Sequence, residues 1–302
     1  MTGRFLRAGA CPVCRNAEIK SWKKGTFDFA GLCPDQIKIT DSAYGKIWDL
    51  GVCGKCGHVF ADPYPAPDFI ASLYGEVEDP LYDQEAEGRA RNFVPILDRL
   101  DRLCPKHGVL FDVGAATGIL CDAARRRGWR VDGIDPSAWA VRRAAEKYGL
   151  TLRNGGFENA AVAEASFQAV TMVDFIEHTP LPVEAVGKAF SILAPGGILC
   201  LVTPDIRSRA ARLAGRRWWH LRPGHVAYFS KESLRVLLEE AGFRILESRR
   251  YSWTFSLHYL GSRFPWMRFF TQSRASSFLR RIPIKLSLGD SFEIYAVKDR
   301  PS

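Results

Sequence analysis

A short apolar run, Gly108-Val109-Leu110-Phe111, leads into Asp112-Val113-Gly114-Ala115-Ala116-Thr117-Gly118, and a second acid, Asp135, stands twenty-three residues beyond Asp112 in Gly133-Ile134-Asp135-Pro136-Ser137. The first segment reads as a buried strand, a glycine turn and a helix start. The second reads as a strand ending in a carboxylate. A βαβ unit with glycines in its first turn and an acid after its second strand suits an adenosine-bearing cofactor: glycine lets the ligand approach the backbone, and the carboxylate accepts hydrogen bonds from ribose hydroxyls. An ordinary glycine turn of an α/β domain is the competing reading, and Asp135 at that spacing weighs against it.

The turn departs from Gly-x-Gly-x-x-Gly, because Ala116 holds the middle position. Asp112 is an added acid two residues before the first glycine. A pyrophosphate is repelled there, whereas a cofactor with a cationic amino-acid end is not. That favours S-adenosylmethionine over a nicotinamide dinucleotide.

Further motifs follow in order. Ser166 to Asp174 reads as a fourth strand, followed by Phe175-Ile176-Glu177-His178. Leu193-Ala194-Pro195-Gly196-Gly197 reads as a turn before the strand 198–203. With these residues, the stretch from about 108 to 245 resembles the class I S-adenosylmethionine-dependent methyltransferases. It most resembles the subgroup with a Glu-His pair after strand four and a Leu-x-Pro-Gly-Gly turn before strand five, which includes quinone-type O-methyltransferases and enzymes of glycan and natural-product pathways. The resemblance implies an α/β, doubly wound, seven-stranded Rossmann-like sheet. It implies cofactor contacts from Tyr82, Asp112, Gly114, Ala115, Gly118, Asp135, Pro136, Gly156, Phe157, Asp174 and Phe175.

Eight cysteines need a second explanation. Met1-Thr2-Gly3-Arg4-Phe5-Leu6-Arg7 lacks the apolar stretch of a signal peptide, and no run of eighteen apolar residues occurs. The expectation is a cytoplasmic chain with reduced thiols. Cys11-Pro12-Val13-Cys14 and Cys53-Gly54-Lys55-Cys56-Gly57 are then two knuckles of a structural tetrahedral Zn2+ site, forming a small N-terminal zinc-ribbon module. A redox C-x-x-C needs a thioredoxin-like context, which is missing. Cys33 and His58 are spare potential ligands outside the set of Cys11, Cys14, Cys53 and Cys56. Cys104, Cys121 and Cys200 read as small core residues. N-terminal zinc ribbons of this kind also accompany the sugar C-methyltransferases.

The chain of 302 residues thus divides into a zinc module over 1–62, a helical linker and cofactor cover over 63–105, and a methyltransferase domain over 106–302. Ala61-Asp62-Pro63-Tyr64-Pro65-Ala66-Pro67 is the joint. Residues 68–104 read as helical, with Tyr74 or Tyr82 placed to close over the methionine end. Strands are expected near 109–113, 129–134, 150–154, 168–174, 197–203, 243–250 and 291–298, the last pairing antiparallel between the fifth and sixth. Helices are expected near 118–127, 137–148, 182–193 and 231–241. Ser230 reads as the cap of the last of these, with Ser233 at the third helical position.

Two segments bear on the acceptor. The lid over 205–230 contains Trp218, Trp219, His220, His225 and Tyr228, rings that stack on sugars and imidazoles that take up protons. His225 as a brace of the loop is the plainer alternative. The insert over 249–287 mixes arginines with aromatics and carries much of the +9 net charge. It suits a carrier-linked sugar or an anionic membrane surface more than nucleic acid, and a solvated face with a hydrophobic tuck is the plain alternative. The catalytic set is His178 as general base oriented by Glu177, with His225, Tyr228 and His220 as further candidates. These readings make the chain an S-adenosylmethionine-dependent methyltransferase acting on the hydroxyl of a sugar, glycan or secondary metabolite. A sugar C-methyltransferase is disfavoured because Phe175 replaces the tyrosine expected two residues before the Glu. An RNA methyltransferase and a non-catalytic scaffold are competing functions.

Overall fold

The structure, a computed structural model, describes residues 3–27, 29–40, 43–263 and 276–299. The N-terminal unit carries β1 (Phe5–Leu6), β2 (Ile19–Lys23), β3 (Leu50–Cys53), β4 (Val59–Ala61) and β5 (Tyr64–Pro65). Three helices follow: α1 (Pro67–Gly75), α2 (Pro80–Gln84) and α3 (Ala86–Leu103). The expected continuous helix is therefore broken at 76–79. Pro80 cannot extend a helix from before it, and Asp79 caps the new one by accepting from the Tyr82 N–H at 3.1 Å.

The main body alternates β6 (Val109–Val113), α4 (Ile119–Arg125), β7 (Arg130–Asp135), α5 (Ala138–Tyr148), β8 (Arg153–Asn154), β9 (Phe167–Val173), α6 (Pro182–Ile192) and β10 (Leu193–Pro204). It continues with α7 (Arg209–Ala214), β11 (Ala227–Tyr228), α8 (Lys231–Glu240), β12 (Phe243–Ser256), α9 (Leu257–Ser262), α10 (Ser276–Arg281) and β13 (Pro283–Lys298). Among the described residues the main sheet has seven strands in the order β12-β13-β10-β9-β6-β7-β8. The strands from β10 to β8 run parallel to one another, and β13 lies antiparallel between β10 and β12. The central parallel strands are buried on both faces, which is why they read as continuous apolar runs. The Ser230 cap forms as expected, with Ser233 reciprocating.

Two differences matter for function. The hairpin β12–β13 is far longer than expected, pairing Ser256 with Pro283. The start of the basic aromatic insert is therefore strand, and its rings tuck inward: Tyr251 is buried and donates to the Asn92 carbonyl at 2.6 Å, while Trp253 stacks edge-on against it. That packing gives the aromatics a structural occupation. Phe264, Trp266, Arg268, Phe269, Phe270 and Arg274 lie outside the described residues. The other difference is the lid. Its strand β11 pairs with β4, Ala227 opposite Phe60 and Tyr228 opposite Val59, so a four-stranded sheet β11-β4-β3-β2 spans the expected boundary at residue 62. Among the described residues no helix is long and apolar enough to cross a membrane.

Candidate active site and cysteine cluster

A cleft opens at the C-terminal ends of β6, β7 and β9, the edge where a doubly wound sheet places its ligands. The glycine turn makes one wall. Gly114 has φ +72°, and a β-carbon there would sit 3.3 Å from the Phe175 ring. Ala116 has φ +47° and donates its N–H to Asp135 Oδ2 at 2.8 Å; the other oxygen, Oδ1, accepts from the Ser137 N–H at 2.8 Å. Burial pushes the Asp135 carboxyl up to about 6, and those two N–H groups oppose it. Asp135 is thus fixed in place at the end of β7 and faces the cleft.

Eight of the expected cofactor contacts line this cleft: Tyr82, Gly114, Asp135, Pro136, Gly156, Phe157, Asp174 and Phe175. Three do not. Asp112 lies beneath the turn, where it accepts from Thr171 Oγ1 at 2.6 Å, and burial pushes its carboxyl up to about 7. Ala115 turns into the core and donates its N–H to the Ile134 carbonyl. Gly118 faces Leu150 and Ala144, where a β-carbon would meet atoms at 2.9 and 3.0 Å, so its role is close helix packing. Ala116 and Thr117 take their places at the wall. Neither carries a distinctive sequence signal.

His178 lines the same cleft. Its Nδ1 lies 2.6 Å from the Tyr74 hydroxyl and 2.9 Å from the Gly224 carbonyl. Tyr74, on α1, lines the cleft beside it. Burial drives the His178 imidazole down to about 3, reinforced by Arg222. The ring is therefore neutral at physiological pH. The expectation that Glu177 orients it is corrected. Glu177 is buried and accepts from Thr203 Oγ1 at 3.0 Å, and its backbone carbonyl holds the N–H groups of Val226 and Ala227. The residues that orient His178 are Tyr74 and Gly224.

The remaining catalytic candidates stand behind this imidazole and do not line the cleft. His225 is 4 % exposed and packs edge-on against His178 with centroids 4.7 Å apart. His220 pairs with Asp290 at 3.4 Å. Tyr228 is buried in β11, and Trp218 donates to Asp290 at 3.1 Å. The lid's aromatic rings fill a core, which overturns the reading of them as a sugar-stacking surface. The cleft's apolar lining comes from elsewhere: Ile37 and Ile39 of the N-terminal unit, with Pro67, Ile70 and Ala71 of α1. The alternation Gln36-Ile37-Lys38-Ile39 is the one sequence signal for this wall. Thr40 anchors the segment through hydrogen bonds to Asp79 at 2.9 and 2.5 Å.

The four cysteines of the two knuckles converge. One sulfur from each of Cys11, Cys14, Cys53 and Cys56 lies within 4.8 Å of every other. The 11–14 turn precedes β2, and 53–56 is the turn of the β3–β4 hairpin. Gly57 has φ +71°, which closes that turn. Burial raises the Cys53 thiol, but the N–H groups of Cys56 and Lys55 outweigh it and bring it down to about 6. Cys33 is exposed at the start of a short 3-10 turn, and His58 packs between Phe60 and Phe229. Neither belongs to the cluster.

Comparison with known proteins places this arrangement. The chain is 29 % identical over 155 residues to the ubiquinone biosynthesis O-methyltransferase of Albidiferax ferrireducens, covering 46 % of this chain and 61 % of that one. It is 38 % identical over 102 residues to the enzyme of the same name from Psychrobacter arcticus, covering 31 % and 40 %. The chain thus spans less than two thirds of either relative. A chain of the Haloferax volcanii complex between the Trm112 methyltransferase activator and a methyltransferase superposes with a TM-score of 0.52 at 16 % identity, covering 73 % of this chain and 97 % of that one. An S-adenosylmethionine-dependent methyltransferase from Archaeoglobus fulgidus gives 0.50 at 17 %, covering 72 % and 98 %. At that identity they speak for the fold alone, the α/β methyltransferase fold. Residues 83–248, more than half of the chain and the part that builds both the glycine turn and the Glu177-His178 end of the cleft, match the methyltransferase-domain family, and the chain belongs to it.

Proposed function

We propose that the cleft binds S-adenosylmethionine and that the chain methylates a hydroxyl oxygen on an acceptor with an apolar body. The observation that carries the reading is one cleft lined by Asp135, the Gly114 turn and His178 together. The residues fit the cofactor. Asp135 is a fixed acceptor for ribose hydroxyls, Gly114 leaves the backbone bare, and the aromatic pair Phe157 and Phe175 borders the wall. When bound, the cofactor supplies a methyl group already activated on a cationic sulfur. The protein's task is to orient the acceptor and activate its hydroxyl. His178 is the side chain placed to do so, and because it is neutral its lone pair is free to act at pH 7. Ile37, Ile39 and Ile70 favour an apolar acceptor body, and the names of the relatives favour oxygen as the methylated atom.

We also propose that the four cysteines hold one structural zinc ion. Four buried sulfurs at mutual tetrahedral range, with backbone N–H groups of Val13, Lys55 and Cys56 directed at them at 3.4 to 3.5 Å, are the ligand set and turn geometry that this ion takes.

The test of the cofactor assignment is calorimetry on Asp135→Ala. Losing a charged acceptor is expected to weaken S-adenosylmethionine binding by about tenfold to a hundredfold, equivalent to about 1.5–3 kcal/mol. Unchanged affinity in a folded variant rules out this end of the cleft as the ribose site.

A further inference from the structure

The segment between the two cysteine knuckles, residues 15–52, is longer than a zinc ribbon needs. Part of it is packed as core. Leu32, Ile37, Ile47 and Trp48 are buried with Ile70 and Leu73 of α1, and the Trp48 indole donates to the Pro223 carbonyl of the lid at 2.9 Å. Residues 38–40 form an irregular strap held from three directions. Asp79, the cap of α2, accepts from the Thr40 N–H at 2.9 Å and from the Thr40 hydroxyl at 2.5 Å. Arg222 of the lid donates to the carbonyls of Lys38 and Ile39. Arg263, at the end of α9, donates to the Thr40 carbonyl at 2.7 Å. Apart from the Thr40 hydroxyl, each of these bonds ends on the strap's backbone.

The fold therefore fixes where Ile39 stands without using its side chain. Ile39 is 37 % exposed, lines the cleft and belongs to none of the apolar clusters that build the core. Trp139, in the first turn of α5, lines the same cleft and is likewise outside those clusters. Ile37 differs, because it is fully buried and serves the core as well. An apolar side chain held in a binding cleft but left partly in water gains the rest of its burial from a ligand.

We propose that Ile39 selects the apolar group of the acceptor, and that the N-terminal unit is the specificity module of the enzyme because it presents this residue. This rests on the methyltransferase reading and deepens it. The substrate class is a hydroxyl compound bearing an alkyl or aryl group that reaches Ile39, with Trp139, Ile70 and Ala71 as further apolar groups of the same cleft. The knuckles anchor both ends of the segment that carries the strap. The N-terminal unit thus takes part in acceptor choice without touching the reacting atoms.

The probe is a series of para-alkylphenols, from para-cresol to para-hexylphenol. Each is titrated calorimetrically into the full zinc-loaded chain in the presence of S-adenosylhomocysteine. S-adenosylmethionine affinity, zinc content and melting curves are measured on the same samples. In the wild type each added methylene is expected to tighten binding by about fourfold, the worth of a buried methylene, until the cleft is filled. Ile39→Ala is expected to move the tightest binder to a longer chain, and Ile39→Trp to a shorter one. Ile39→Asp is expected to weaken the longest phenol by about tenfold or more, the worth of one buried aliphatic side chain. Cofactor affinity, zinc content and melting should hold in all three variants, because this side chain lies outside the core. A structural role for Ile39 would lower every affinity together and leave the chain-length preference as it was, and that result overturns the proposal. So does a loss of S-adenosylmethionine affinity in the Ile39 variants, which sets the side chain against the cofactor. Wild-type protein that binds S-adenosylmethionine but none of the phenols overturns the assignment of Ile39 and leaves the cofactor reading standing. Protein that binds neither overturns both.

Discussion

Replacing Cys53 by serine is expected to empty the cysteine cluster of zinc and unfold the N-terminal unit. Wild-type protein should carry one zinc ion per chain by elemental analysis, and the variant almost none. The effect should be large because binding free energy in such sites is folding free energy, about 10–16 kcal/mol in zinc-finger peptides near neutral pH. The consequence should also travel. β11 of the lid pairs with β4, and the loop between the two knuckles brings Ile37 and Ile39 to the cleft. Hydrogen exchange should therefore rise in β2, β3 and β4, and also across 221–229, while the central strands β6, β9 and β10 stay protected. Cys33→Ser should change neither zinc content nor exchange, because Cys33 lies exposed outside the cluster. A wild-type chain without zinc, or loss of the metal from Cys33→Ser, defeats the assignment.

What the sequence made legible was whatever depends on local pattern. The strands β6, β9 and β10 announce themselves as largely apolar runs, because burial on both faces leaves little polar alternation to obscure them, whereas β7, half of it polar, is marked by the acid at its end. The cysteine knuckles follow from their spacing, and the Ser230 cap from its residue types. The antiparallel position of β13 came from the family resemblance, since pairing order has no local signature. What failed were inferences from residue type to exposure. Trp218, His220, His225 and Tyr228 have the chemistry of a binding loop, yet Asp290 and β4 draw them into a core. Asp112 has the charge expected of a ligand contact, yet Thr171 on the neighbouring strand takes its carboxylate. The orientation of His178 rests on Tyr74, 104 residues earlier, and on a carbonyl 46 residues later. No local pattern encodes contacts of that separation.

Gly114→Val is expected to abolish measurable S-adenosylmethionine binding while the protein stays folded. Two effects combine at this position. The backbone lies at φ +72°, a left-handed conformation that costs an ordinary residue about 1–2 kcal/mol and a β-branched one more. The added side chain would also meet the Phe175 ring, 3.3 Å from the first new carbon, and the rest of the valine would stand in the cleft where the cofactor must approach the backbone. Gly149→Val separates the two effects. Gly149 has φ +65° and nothing within 4 Å of a β-carbon, and it ends α5 away from the cleft. That variant should show a comparable fall in thermal stability with unchanged cofactor affinity. Calorimetric titration of both variants, beside their melting curves, decides the matter. If Gly114→Val binds the cofactor as the wild type does, the glycine is there for the turn alone and the ligand does not pass close to it. If Gly149→Val loses binding to the same degree, strain alone explains the loss at Gly114, and the direct-approach argument falls.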